Sequence, residues 1–283
     1  MYKSPILKWI LGVYYGLFLL FLYGPFIVMG ILSFQPQNGG PQFPMRGFSI
    51  YWYEQLLGII GTSRAAPLPV GPALVRSLIL AFMVMVTSTV LGTITAQAFR
   101  HRFKHTGFMF YLVMLGFIVP GVLVGLGVAL VSNQLHIDKH WWLTGYIVHV
   151  IYTFPFSFLV MLAIFNRFDR SVEEASASLG AGAATTFRKI TFPLVFPGIL
   201  TSLLIAFTLS YDEFPRSIFA GGPQLTLPLT IYGQFGIEIH PNLFAFGVLS
   251  TLFSFALLAV FAILIAISVK RRARGRGIQE EIR

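Results

Sequence analysis

A few residues in this 283-residue chain have types and spacings that chemistry can use. Asp212 and Glu213 are adjacent carboxylates. Such a pair attracts an ammonium group by Coulomb force and hydrogen bonding, and a charge at membrane depth marks a functional position by default. Arg216 lies four residues after Asp212, where a helix would let the two neutralise each other. Contact with a cationic ligand and an internal ion pair both stay open. Tyr211 and Tyr152 offer ring faces to a cation or to packing. His136 and His140 flank Asp138, and His101 and His105 share the same spacing, which suits metal ligands. The first pair has no fourth ligand nearby, and Arg100, Arg102 and Lys104 repel a cation from the second. No metal site is expected.

Other chemistries are argued against by what is missing. The sequence has no Cys, hence no disulfide, iron–sulfur or zinc-thiolate framework. It has no Gly-x-x-x-x-Gly-Lys-Ser/Thr phosphate loop. A membrane-embedded enzyme would need a nucleophile constellation or metal cluster beside Asp212, Glu213 or His149, and none is evident. An ion-driven secondary transporter would carry coupling carboxylates near the midplane, where this sequence has no Asp, Glu, Lys or Arg.

The elements that must position these residues are set by composition. Hydrophobic residues make up 56% and charged residues 11%, where a soluble domain carries about 25% charge. The expected fold class is all-α, a polytopic membrane protein. Six apolar stretches approach the roughly 20 residues a crossing needs: 9–34, 77–99, 108–131, 141–165, 194–211 and 243–269. They form one transmembrane domain over 9–269, between a cytoplasmic N-terminus, 1–8, and a basic cytoplasmic tail, 270–283. With both termini inside, most of the 20 basic residues face the cytoplasm, as the positive-inside rule asks. The tail then meets anionic lipid headgroups, and nucleic acid is not expected as a partner. Trp9, Trp141 and Trp142 fall at the interfaces. Pro25, Pro120 and Pro155 fall inside spans. Gly121 and Gly125 form a small-xxx-small pair suited to close packing. A short helix near 51–57 is expected in the outer loop.

The inner loop 166–193, NRFDRSVEEASASLGAGAATTFRKITFP, is polar yet patterned. Ser171 and Glu174 have capping-box spacing, so a helix starts there. Val172, Ala175 and Leu179 make one apolar stripe, and Gly180 ends the helix. A second short helix is expected over 183–190, with Phe187 and Ile190 on one side. Helices this short need something to dock against. Patterning alone leaves open whether that is the chain's own helix ends or a separate cytosolic partner.

This loop resembles the EAA motif of binding-protein-dependent ABC importer permeases. Glu174-Ala175-Ser176, three residues, Gly180, nine residues, Ile190, one residue, Phe192-Pro193 matches that motif's spacing. Ser176 stands where the motif has its second Ala, and Phe192 where it has Leu. Glu173, Leu179, Ala181, Phe187 and Arg188 also look like the family. Residues 209–214, Gly222-Pro223, Leu227-Pro228-Leu229 and Ile231-Tyr232 resemble its spermidine/putrescine branch, which implies a polyamine or related amine as cargo, with an opine, aminobutyrate, an amino acid or an aminophosphonate as the alternative.

The resemblance implies that 171–190 is a coupling segment seated in an ATPase subunit. Its contacts would come from Glu173, Glu174, Ala175, Ser176, Leu179, Gly180, Ala181, Phe187, Arg188, Ile190 and Pro193. Tyr211, Asp212, Glu213 and Tyr152 would line the substrate path or its gate. The chain itself would bind no cofactor, with ATP and Mg on the partner. The implied assembly is two ATPase subunits, a second and different permease, and a soluble binding protein, at the bacterial inner membrane.

Overall fold

In a computed structural model the chain is helical, with no strand among the described residues. These are 5–56, 70–101, 103–167, 169–235 and 241–281, as backbone alone at 70, 234–235 and 268–281. The side chains of the basic tail 270–283 and Arg102 therefore fall outside the described residues.

In chain order the helices begin with α1 (Pro5–Leu32), α2 (Tyr51–Leu56), α3 (Val70–Phe99), α4 (Thr106–Ile118) and α5 (Gly121–Gln134). A π turn, Trp141–Gly145, leads into α6 (Tyr146–Asn166). Then come α7 (Ser171–Ser178), α8 (Ala183–Thr186), α9 (Phe192–Tyr211), α10 (Ser217–Ala220), α11 (Leu227–Phe235) and α12 (Pro241–Glu281). Among the described residues five helices are long and apolar enough to cross a membrane, or six if α4 and α5 count together.

The chain divides into two compact units. One comprises Met1–Leu68 and Gly233–Ala256. Within it α1 leaves its apolar side chains exposed, Trp9 at 76% and Phe21 at 82%, as a helix made for lipid or another subunit does. The loop after α1 is closed by its own bonds. Gln35 donates to the carbonyls of Gly40 and Gln42, each at 3.0 Å, and Ser33 meets the Tyr53 hydroxyl of α2 at 2.6 Å.

The other unit, Pro69–Tyr232 and Leu257–Arg283, is organised around α3, α6 and α9. Their core packs Ala96, Met114, Phe158, Met161, Phe165 and Val195. Hydrophobic burial alone selects little between helices in lipid, so small residues and hydroxyl pairs set the approach. Ser88 bonds Thr153 at 2.5 Å and Thr89 bonds Ser202 at 3.1 Å across the helix seams. At Gly92 an added Cβ would stand 2.7 Å from the Ser157 backbone, so α3 and α6 touch there without a side chain between them.

Two elements differ from the sequence expectation. The third apolar stretch is not one helix: α4 and α5 meet at 96°. Pro120 has no N–H to continue the ladder, and it holds Val119 extended at φ −66, ψ 131. The second short helix is not separate either, because helix runs on from Ala183 to Tyr211. A π turn, Phe187–Thr191, absorbs the missing donor of Pro193; the Phe192 N–H reaches back five residues to Phe187.

The contact at Gly92 is directly testable. Gly92→Leu is expected to destabilise the purified chain by about 2 kcal/mol, the scale of overpacking a tight site. Gly127→Leu, with open space around it, is expected to leave the unfolding midpoint unchanged when tryptophan fluorescence is followed on heating in detergent.

Candidate functional site

The first cluster surrounds α7. The helix starts at Ser171 as expected, but the reciprocal Ser171–Glu174 cap does not form. Asp169 does the capping, with its Oδ1 accepting the Ser171 N–H at 3.0 Å. Those bonds from Ser171 hold the Asp169 carboxyl below the usual carboxylate range. At the other end Gly180 takes φ +82. The Gly180 N–H donates to Ala177 at 2.9 Å and the Ala181 N–H to Ser176 at 3.1 Å, the paired bonds of a Schellman turn.

α7 has two unlike faces. One turns to the chain itself. Glu173 accepts both guanidinium nitrogens of Arg100, at 3.1 and 2.7 Å, and the Thr191 hydroxyl donates to the same carboxylate. The Arg100 side chain is 4% exposed, and its guanidinium lies 5.2 Å from the Phe165 ring centroid. Partial burial pushes the Glu173 carboxyl up. The bonds from Arg100 and Thr191, and the charges of Arg100 and Arg170, outweigh that and leave it below its ordinary value. On the same face Ser176 and Thr186 are buried and share a 3.0 Å hydrogen bond. That partner accounts for a hydroxyl where the motif has Ala. The opposite face of α7 presents Glu174, Ala175, Ser178 and Leu179, with Leu179 89% exposed. Beyond the turn Ala181 and Ile190 are half-buried, and Phe187, Arg188 and Pro193 are exposed.

The second cluster lies at the far end of α9, about 30 Å along its axis at 1.5 Å per residue. The four-residue spacing of Asp212 and Arg216 does not make an ion pair among the described residues. α9 ends at Tyr211 and α10 begins at Ser217, so no single helix spans the two. Arg216 instead turns to Glu213, donating Nη1 to Oε2 and its backbone N–H to Oε1, each at 3.0 Å. Both residues are buried. The Arg216 guanidinium sits 3.7 Å from the Tyr152 ring centroid, so the cation on that ring belongs to the chain. Its other side meets Gly121 and Gly125, where an added Cβ would collide with the Arg216 side chain and carbonyl respectively. The small-residue pair therefore seats the segment carrying Arg216.

Nearby, His149 is fully buried, with Nδ1 2.8 Å from the Ser210 hydroxyl and Nε2 2.8 Å from the Ser217 hydroxyl. It joins α6, α9 and α10. Tyr211 is buried with its ring stacked on Phe207. Asp212 is exposed at the helix end. Sequence reasoning did not single out Arg100, Thr191, Ser210 or Ser217 as partners. Arg100 stands 73 residues from Glu173, beyond the reach of any spacing rule.

The family model described as "Binding-protein-dependent transport system inner membrane component" matches residues 88–274. The chain is 28% identical over 245 residues to the spermidine/putrescine transport system permease protein PotC of Haemophilus influenzae, covering 85% of this chain and 90% of that one. It is 29% identical over 237 residues to the putrescine transport system permease protein PotI of Escherichia coli K12, covering 81% of each. Its fold matches that of a bacterial ABC transporter involved in import of the acidic polysaccharide alginate, at TM-score 0.69, 18% identity, and 94% and 95% coverage. It also matches the MetNI methionine ABC transporter in inward-facing form, at TM-score 0.54 and 15% identity, over 69% of this chain and 96% of that one.

The buried pair makes its own prediction. Glu213→Ala leaves Arg216 buried and uncompensated, and is expected to cost on the order of 3 kcal/mol of stability. Glu213→Ala with Arg216→Met is expected to recover most of that loss, as measured by thermal unfolding of the two variants in the same detergent.

Proposed function

The chain belongs to the family of inner membrane components of binding-protein-dependent transport systems, and on that premise we propose that this ABC importer permease carries a polyamine, spermidine or putrescine. The relatives named above for those amines support this reading. So does the charge at the far end of α9. A free guanidinium there would repel an ammonium group. Arg216 is already neutralised by Glu213 and covered by Tyr152, and Asp212 remains as an exposed carboxylate. The cluster is thus net negative, and a cation is the ligand it favours.

At the other end, the exposed face of α7 is the surface offered to an ATPase subunit. Glu174 would accept a charge-assisted bond there, Ala175 would permit close approach, and Leu179 would lose its exposure to water. Glu173 and Ser176 serve a different purpose, since both are committed within the chain. Two such ATPases would hold ATP and Mg, a second permease would complete the path, and a soluble binding protein would deliver the cargo. Closure of the ATPases would rock the helices as rigid bodies.

The test is ATP hydrolysis by the reconstituted complex. Its binding protein is supplied empty, loaded with spermidine or putrescine, or loaded from an amino-acid and opine panel. Polyamine is expected to stimulate hydrolysis several-fold. Asp212→Asn is expected to raise the concentration for half-maximal polyamine uptake about tenfold, the equivalent of 1.4 kcal/mol. Glu174→Arg is expected to abolish stimulation. Stimulation confined to a non-amine ligand would discard the polyamine reading.

A further inference from the structure

The face of α7 turned away from the exposed Glu174 has a specific construction. An eight-residue helix is marginal by itself, and the only buried side chain on α7 is the polar Ser176. Apolar packing therefore does not hold it in place; polar ties do. The strongest tie is the Glu173 carboxylate. Its two oxygens take a two-pronged guanidinium and a hydroxyl. Bidentate geometry fixes direction as well as distance, so the bond resists rotation in a way a single contact would not.

What the tie joins is more telling than its strength. Arg100 follows directly on Phe99, the last residue of α3. Thr191 directly precedes Phe192, the first residue of α9. The Arg100 guanidinium lies over Phe165, next to the last residue of α6. One carboxylate thus gathers the same-side ends of the three helices that make the core of this unit. A second tie, Ser176 to Thr186, joins α7 to the helix that continues into α9. Glu174, the next residue, has none of these partners and points to the open face.

We propose that Glu173 is the positioning residue that makes α7 move as one body with α3, α6 and α9, so that displacement of α7 by the ATPase becomes displacement of the spans. Glu174 and Glu173 then divide the work, one contacting the partner and the other passing the motion inward. The inference rests on the docking of α7 to an ATPase subunit. It adds that Glu173 does not contact that subunit.

Because the chain has no Cys, spin labels can be introduced at Ala177→Cys on α7 and Ala98→Cys on α3, both exposed positions outside the face that carries Glu174 and Leu179. The assembled complex, with its other chains freed of cysteine, is measured without nucleotide and after trapping with ATP and vanadate. With Glu173 present, the separation of the labels is expected to be the same in both states. With Glu173→Gln it is expected to shift on trapping by about 5 Å, one helical turn, while the ATPase still co-purifies. Arg100→Gln is expected to reproduce the shift, and the double variant to add nothing to it.

A merely structural role would loosen α7 equally in both states, and that result overturns the proposal. So does an unchanged separation in Glu173→Gln, or loss of the ATPase from that variant, which would place Glu173 in the interface. Glu174→Arg serves as the separate arm. If the ATPase stays bound to it, the docking reading falls and this inference falls with it. If the ATPase is lost there and the Glu173→Gln separation does not move, this inference alone falls. Should Glu173→Gln not fold, Thr191→Val removes one hydroxyl and no charge. It is expected to give a smaller shift on trapping, and its absence overturns the proposal.

Discussion

A charge lying against an apolar helix bundle must be cancelled where it sits, because lipid and packed side chains offer it nothing in place of water. The core unit of this chain meets that constraint twice, with the same device. Arg100 is forked onto Glu173 and stacked on Phe165; Arg216 is bonded to Glu213 and stacked on Tyr152. Both aromatic rings belong to α6, one near its end and one in its first half. α6 thus serves as the post against which a segment is pinned at either end.

The pinned segments are the ones that depart from simple membrane crossing. At one end α7 and its turn project Leu179 and Glu174 away from the bundle. At the other, the segment from Asp212 to Gly222 folds back over α5 and the π turn. The Thr144 hydroxyl bonds the Ala220 carbonyl at 2.6 Å, and an added Cβ at Gly222, φ +74, would collide with the Lys139 carbonyl. Guanidinium suits both places for one reason. It is planar, always charged and able to stack while it donates, so it can be buried where an ammonium would need more water.

Polar pairs also order the bundle between its ends. Hydroxyl bonds run from α3 to α6 and to α9, and from His149 to α9 and α10. In an apolar medium such bonds choose register more than they add stability.

The apolar runs by themselves determined that this chain forms membrane-length helices, since length and charge depletion are sufficient for that. Local chemistry likewise determined where α7 starts and where Gly180 stops it, because capping reaches only a few residues. Even there the capping group differed, since it is the Asp169 carboxylate that accepts the Ser171 N–H. The 96° break between α4 and α5 was legible as Pro120 but not as an angle. Which acid Arg216 takes, and that Arg100 meets Glu173 across 73 residues, only the tertiary structure decided. Spacing rules hold along one continuous helix. These partners are set instead by where α3, α6 and α9 place their ends once small residues let them pack.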